Sequence, residues 1–483
     1  MQNILGFKDI NWGKDEAKGD PDLLRYFVSF PGMDDIEQGK IRYIIGRKGT
    51  GKTAVFEYLR QKSSGDPLSF YRSISLRDFP LGLMRQLEDK RLADKSKYVP
   101  VWRYLLLMEL CAMIGENNSL LDADIKRDID QFIKDNFSDK ICSVNSLTVL
   151  KERGLKLSIA SNGLGIELLG KKSETISGDI HYQKICEVLE TKIKQLRGGF
   201  RYYIFLDELD EGYRAGDSSI RLILLALLRA VEDMAITFSG TDIKVFPMIG
   251  LRSDIWNGLN DNDLNKYNDY LIRLRWESSE ENGQMSLRRV VNCRIAASLG
   301  IPESDKDWWP QFAQDSDVNI PDRKPLWKHL IIKTHDRPRD ILKFLKICAK
   351  KTTPQRLLYK DAEKSERDFS DWLYDELKNE AGAHVPVWQE VLDCISRFGR
   401  IYIDNSAELV AEFQRDGKVS DWMNQSKTSG EALLEILFNF GVIGMRNKND
   451  FYVFRFKNED ARYDARNTVV VQFGLIKKLS LRG

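Results

Sequence analysis

Gly46-Arg47-Lys48-Gly49-Thr50-Gly51-Lys52-Thr53 decides how this chain is read, because it satisfies G-x-x-x-x-G-K-[ST] at every fixed position. Glycines at this spacing let successive backbone N–H groups turn inward around an anion, at the positive end of the helix that follows. The flanks supply the context this needs. Ile41-Arg42-Tyr43-Ile44-Ile45 has the β-branched and aromatic content of a buried strand, and Ala54-Val55-Phe56-Glu57-Tyr58-Leu59-Arg60 reads as a helix. In such a strand, loop and helix the residues Gly46, Arg47, Lys48, Gly49, Thr50, Gly51, Lys52 and Thr53 would cradle the phosphates of a nucleotide. Lys52 would reach the β- and γ-phosphates, and the Thr53 hydroxyl would hold Mg²⁺.

Hydrolysis needs more than a cradle: a carboxylate for the metal and a group that orients the attacking water. Tyr202-Tyr203-Ile204-Phe205-Leu206-Asp207-Glu208 is a hydrophobic strand ending in two acids. Asp207 would hold Mg²⁺ through water, and Glu208 would act as base or polarise the water. After a helix-like run from Ser218 to Ile236, Ile243 to Asp254 reads as another buried strand, with Arg252 and Ser253 at its carboxyl end. Carboxyl ends of parallel strands line the ligand crevice of α/β sheets, so Arg252 sits where a γ-phosphate sensor would. Farther on, Thr334-His335-Asp336-Arg337-Pro338-Arg339-Asp340 leads into an amphipathic helix. Arginines there oppose the helix dipole unless an anion is near, either a phosphate or, in the plainer reading, an aspartate of a surface pair around the turn.

Composition sets outer bounds. Of 483 residues, 42% are hydrophobic and 30% charged, which excludes wholesale disorder, collagen and coiled-coil rods, and the length suggests about three domains. The 74 Lys+Arg against 72 Asp+Glu leave a net charge of +2, which excludes binding of nucleic acid by bulk charge. The cysteines Cys111, Cys142, Cys186, Cys293, Cys348 and Cys394 stand singly, as reduced buried thiols do, and the N-terminus lacks a signal-peptide pattern. The apolar run Leu222–Leu228 is far short of a membrane span. These features predict a cytoplasmic protein without a membrane segment.

The order of these motifs resembles the AAA+/STAND branch of P-loop ATPases. More narrowly, a Gly-Arg-Lys-Gly-Thr-Gly-Lys-[ST] loop paired with Leu-Asp-Glu-Leu-Asp, here Leu206 to Asp210, is similar to a group of bacterial stand-alone ATPases often encoded near restriction or anti-phage defence genes. The resemblance implies an α/β P-loop NTPase core with a parallel sheet, a helical lid and a C-terminal winged-helix-like domain. It implies ATP and Mg²⁺ as cofactors, ATP hydrolysis as the activity, a conformational or assembly switch as the role, and a protein partner or further copies of the chain as partners. It places Arg252 at sensor 1 and Arg339 at sensor 2, so that Lys52, Glu208, Arg252 and Arg339 would be the catalytic residues and Thr53 and Asp207 the metal ligands. It also places Asp22 to Val28 beside the base. It identifies no arginine finger; Arg273 and Arg275 alternate with apolar residues over Tyr270 to Arg275, which reads as the last sheet strand, and there they read as salt-bridge partners.

Two further matches are decoys. Asn447-Lys448-Asn449-Asp450 has the guanine-reading form N-K-x-D, but it lies between Val442–Met445 and Phe451–Phe454, a hairpin pattern with turn residues at its centre. Phe238-Ser239-Gly240-Thr241 resembles the ABC signature but follows the Asp207 strand, where the ABC order has it precede. The predicted organisation is an ATPase core over 1–276 with an insertion at about 89–196, a lid over 277–376 and a winged-helix-like domain over 377–483. Within the insertion, Trp102 to Ile114 reads as a helix and Leu155 to Leu169 around Asn162-Gly163 as a hairpin; packing on the core is the plain expectation and a partner surface the sharper one. Trp308 and Trp309 are expected to anchor a long loop rather than stack on a base. The third helix of the C-terminal domain, Glu431 to Phe440, carries two acids and no Lys or Arg, so DNA contact is not favoured and would fall to Arg446, Lys448, Arg455 or Lys457. The alternatives to the ATPase switch are a nucleotide-gated DNA-binding regulator with little turnover, or an ABC-type ATPase.

Overall fold

A computed structural model describes residues 5–75, 81–88, 92–137, 146, 149, 181–209, 217–279, 281–302, 305–314, 325–352 and 355–482. The predicted hairpin at 155–169, Cys142 and Asp210 lie outside the described residues. The chain divides into two compact units, a sheet unit of Pro31–Arg47 and Val55–Leu274 and a helical unit of Met1–Phe30, Lys48–Ala54 and Arg275–Gly483.

The sheet unit is built on five parallel strands, β1 Tyr43–Ile45, β2 Ser69–Ser75, β3 Arg201–Asp207, β4 Lys244–Leu251 and β5 Leu271–Arg273, in the spatial order β2-β3-β4-β1-β5. The central strands β1, β3 and β4 are almost continuously buried, as strands covered on both faces must be, while β2 and β5 at the edges are half-exposed. The three central strands are legible in the sequence, and so is β5 within Tyr270–Arg275, whereas β2, Ser-Phe-Tyr-Arg-Ser-Ile-Ser, is not, because its edge position removes the need for an apolar run. The chain leaves β1, crosses to the far edge at β2, and returns through β3 and β4 to lie beside β1. The loop after β1 therefore emerges from a central strand at the carboxyl edge of the sheet.

One face is packed by the Val99–Glu116 and Ser218–Thr237 helices. From Val101 to Ile114 every residue of the first but Arg103 is buried, and Trp102 reaches out to donate its indole N–H to the Ile223 carbonyl at 2.9 Å. The segment 94–116 is long and apolar enough to cross a membrane, but 78% of its apolar window is buried inside the fold, so it is a core helix and no membrane span is indicated. The described part of the predicted insertion thus packs on the core. Asp217 caps the second helix by accepting from the N–H groups of Ser219 and Ile220.

The helical unit contains the Leu287–Ser298, Pro338–Lys351 and Tyr359–Ala381 helices, then shorter helices and a four-stranded sheet of β6 Tyr402–Ile403, β7 Ile443–Arg446, β8 Tyr452–Val453 and β9 Thr468–Val471 in the order β6-β9-β7-β8. Phe344 and Phe369 stack at 4.2 Å between the two longest helices. Trp309 and Trp327 meet edge to face at 5.3 Å, the Arg288 guanidinium lies over both rings, and Trp308 is also buried, so the loop tryptophans anchor as expected. The Asn447 hairpin is present: β7 and β8 pair through Met445 and Val453, and the Asn447 side chain accepts from the N–H groups of Asn449 and Phe451 at 3.0 Å, which makes the N-K-x-D match a turn. The Tyr359–Ala381 helix runs through positions 376 and 377, so the chain enters its C-terminal part along one continuous helix.

Glu366 of that helix gives the unit a defined acid limit. It accepts from His329 at 2.7 Å and faces Lys333 at 3.3 Å and Lys477 at 3.6 Å. Burial pushes its carboxyl up, but the His329 hydrogen bond and the two lysines outweigh it and hold the pKa at about 2, below the ordinary 4.5. Burial also lowers the His329 pKa below 6.5. Both folded-state values lie below the unfolded ones, so both contributions are complete above the unfolded values and are lost as the pH falls. Urea denaturation from pH 5 to 2.5 should show stability falling by on the order of 2 to 3 kcal/mol more in the parent than in Glu366→Gln.

Candidate functional site

In the sheet unit, the candidate residues meet at the carboxyl edge. Gly46 N–H donates to the Leu251 carbonyl at 3.1 Å and the Gly46 carbonyl accepts from Ser253 N–H at 3.3 Å, so the start of the loop is fastened to the end of β4. Asp207 ends β3, is buried, and packs its Oδ1 so closely over Gly250 that a Cβ there would lie 3.1 Å away. Its carboxylate accepts from Glu208 N–H at 2.9 Å. Glu208 follows in the left-handed region at φ +59°, a conformation costly for a side chain other than glycine, and its carboxylate accepts from the Ser75 hydroxyl at the end of β2. Arg252 leaves β4 and forms a two-pronged pair with Asp254 at 2.9 and 2.7 Å. The fold brings Gly46, Asp207, Glu208 and Arg252 to one edge, with Arg252 tied to a carboxylate of its own.

The tip of the loop is held by the helical unit through its carbonyls. The Lys48 carbonyl accepts from Arg337 Nη1 at 3.0 Å, the Gly49 carbonyl from Arg339 N–H at 3.4 Å, and the Thr50 carbonyl from the Trp276 indole at 2.8 Å. Three successive carbonyls are thereby satisfied on one side of the loop. Gly49 and Gly51 have φ of +82° and +103°, and a Cβ at Gly49 would stand 3.0 Å from Arg339 Cβ, so that position admits only glycine. Lys52 and Thr53 open the Lys52–Lys62 helix, Lys52 half-buried and Thr53 exposed.

Around this tip lie two layers of charge. The inner one is fully buried: Arg337 pairs with Asp340 at 2.7 Å and with Glu380. Burial opposes its charge, yet two facing carboxylates outweigh that and keep the guanidinium protonated, while burial and the neighbouring Glu380 push the Asp340 pKa up. The outer layer is half-exposed: Oε1 of Glu376 receives both Lys48 Nζ at 3.0 Å and Arg339 Nη1 at 2.9 Å. The Arg–Asp pair read from the sequence as a surface alternative is real but belongs to the interior, and it uses Arg337. Glu376 and Glu380 are the residues the sequence reading missed. Their spacing of one helical turn, opposite two arginines spaced by two, was the available signal.

These residues fit the groups the motif implies. Alternating positive-φ glycines, a half-buried lysine and a helix start suit a polyphosphate, and a hydroxyl with a buried carboxylate is the oxygen donor set Mg²⁺ takes. Among the described residues there is no cluster of three His, Cys, Asp or Glu to hold a metal, so Mg²⁺ would rely on phosphate oxygens and water for most of its ligands. Arg275, just past the end of β5, pairs with Glu459 at 2.5 Å. The Asp22–Val28 segment packs inside the helical unit, where Arg25 donates to the Ala297 carbonyl and the Arg294 guanidinium covers the Tyr26 ring.

Residues 285–378 match the profile of the FunZ-associated C-terminal helical domain. The match contains Arg337, Arg339 and Glu376. A curated relative from Escherichia coli (strain K12), "Putative transposon gamma-delta 80.3 kDa protein", is 23% identical over 442 residues, which cover 86% of this chain and 58% of that protein. The chain thus spans little more than half of that relative's length.

The two layers predict different costs. Arg337→Ala leaves two buried carboxylates without their cation and should destabilise the protein by about 3–5 kcal/mol in urea unfolding, whereas Arg339→Ala, which removes a half-exposed pair, should cost about 1 kcal/mol or less.

Proposed function

We propose that the chain is a Mg²⁺-dependent ATPase of the P-loop AAA+/STAND type, which binds and hydrolyses ATP to switch domain arrangement or assembly in the cytoplasm. The observation that carries this reading is the complete Gly46–Thr53 motif at the carboxyl end of a central strand, on a parallel sheet whose β3 ends at Asp207 with Glu208 next in the chain. Lys52 would neutralise the β- and γ-phosphates. Magnesium, when bound, would draw charge from the phosphate oxygens, with Thr53 and Asp207 as its protein ligands. Glu208 would orient and deprotonate the attacking water, a task served by a carboxylate held in a strained, fixed backbone. Arg252 and Arg339 would act as sensors once a phosphate competes with their present carboxylates. The tie between the loop carbonyls and Arg337, Arg339 and Trp276 supports a switch, because any change in the loop is felt by the helices that hold it. The resemblance extends the proposal to a defence setting and to a protein partner or self-assembly.

A second reading, a nucleotide-gated DNA-binding regulator, draws support from the transposon-associated relative and from the β7–β8 hairpin, where Phe451 is 68% exposed. The acidic Gly430–Asn439 helix opposes it.

Purified protein should bind ATP and hydrolyse it with Mg²⁺. Lys52→Ala should abolish both, and Glu208→Gln should retain binding while lowering kcat by about a hundredfold or more. Hydrolysis undiminished in Glu208→Gln, together with tight, salt-sensitive DNA binding by the full chain, would favour the second reading.

A further inference from the structure

The outer charge layer contains a carboxylate with an unusual position. One oxygen of Glu376 receives two cations at about equal distance, Lys48 from the phosphate loop and Arg339 from the start of the Pro338–Lys351 helix. The cluster carries +1 overall, and its three side chains are 12%, 28% and 31% exposed, within reach of solvent and of a solute. One turn farther along the same helix, Glu380 is 4% exposed and locked with Asp340 onto the buried Arg337. The inner layer cannot open without stranding buried charge. The outer one can exchange one anion for another.

We propose that Glu376 is a specificity-determining residue of the phosphate site: its carboxylate and the terminal phosphate of a nucleoside triphosphate compete for the same two cations, Lys48 and Arg339. This rests on the ATPase reading above. Lys48 lies within the loop, four residues before Lys52, and Arg339 adjoins that loop through the Gly49 carbonyl. A triphosphate brings more negative charge than the single carboxylate it must displace, and it can hold both cations. A diphosphate lacks the group that would take Glu376's place and must bind with the carboxylate still present, where like charge repels it. Glu376 thereby raises the ratio of triphosphate to diphosphate affinity only if its displacement is driven by the third phosphate. Removing its charge relieves the diphosphate of that repulsion and the triphosphate of the competition.

The two effects separate by measurement. Equilibrium binding of ADP and of a non-hydrolysable ATP analogue to the full-length protein, by calorimetry, should show Glu376→Gln tightening ADP about tenfold and the analogue by about threefold or less, so that discrimination shrinks. Arg339→Gln should weaken the analogue more than ADP, and Glu376→Gln placed on top of Arg339→Gln should shift the ratio of the two affinities by less than it does in the parent, because only Lys48 is then left to be contested. Urea unfolding of each variant identifies any that fails to fold, and Glu376→Asp, which keeps the charge on a shorter arm, then supplies the comparison. Unchanged or weakened ADP binding in a folded Glu376→Gln, with Lys52→Ala still abolishing nucleotide binding, overturns this proposal and leaves the ATPase reading intact. Binding that ignores Lys52→Ala, or is absent from the parent, overturns both.

Discussion

Three successive carbonyls of the Gly46–Thr53 loop, those of Lys48, Gly49 and Thr50, are taken by donors from the helical unit, and the placing of Arg337, Arg339 and Trp276 answers to this constraint. Carbonyls of a tight loop that are turned away from water must find donors, since an unsatisfied backbone acceptor there costs as much as a lost hydrogen bond. Here the acceptors are met by an arginine, a backbone amide and an indole. The arginine comes at the highest cost, because its guanidinium is wholly buried and needs Asp340 and Glu380 to remain so. The glycine at 49 follows from the same approach, as its neighbour is the Arg339 side chain at the distance a Cβ would occupy. Loop, arginines and the two acids of the Tyr359–Ala381 helix therefore form one assembly within the helical unit.

The sheet edge solves a different problem. Asp207 and Glu208 are adjacent in sequence and chemically alike, yet their surroundings divide them. Asp207 is the last residue of a buried strand, held by the next amide and pressed against Gly250, so its position is set by the sheet itself. Glu208 has left the strand and takes a left-handed backbone that the sheet does not require, with its carboxylate carried to Ser75 at the end of the edge strand. A rigid acid beside a strained one would suit the separate tasks of metal binding and water activation proposed for the pair.

What could be read from the sequence tracks how local each signal is. The loop motif and strands β1, β3 and β4 were legible because spacing and two-sided burial write themselves into a few consecutive residues. The half-exposed β2 left no such mark. Trp308 and Trp309 were legible as anchors because a large apolar surface has few other fates, but the Arg288 guanidinium that covers Trp309 and Trp327 was not. The ion network was least legible. Lys48 and Glu376 are more than three hundred positions apart, and nothing in either segment names the other; only the paired spacing at 376 and 380 hints at a common helix face. The sequence pointed to Arg339 as a phosphate contact, while the structure adds a rival carboxylate and assigns the interior role to Arg337.

The near-neutral charge of the chain then acquires a spatial meaning. Around the β7–β8 hairpin three of the four cations that could meet DNA have partners: Arg446 lies over the Tyr402 ring and near Asp450, Arg455 donates to the Ala461 carbonyl, and Lys457 faces Asp336 at 3.9 Å, while Lys448 is exposed. Exposed Phe451 and Tyr452 at the same hairpin add apolar surface rather than positive charge. Around the Gly46–Thr53 loop the balance differs, because Lys48 and Arg339 share one partly exposed carboxylate and leave a net positive charge there. An excess of two charges in the whole chain says nothing about where an anion would go. The distribution of ion pairs is the more telling quantity: two cations share one carboxylate at the loop, while most of the hairpin cations have a partner each.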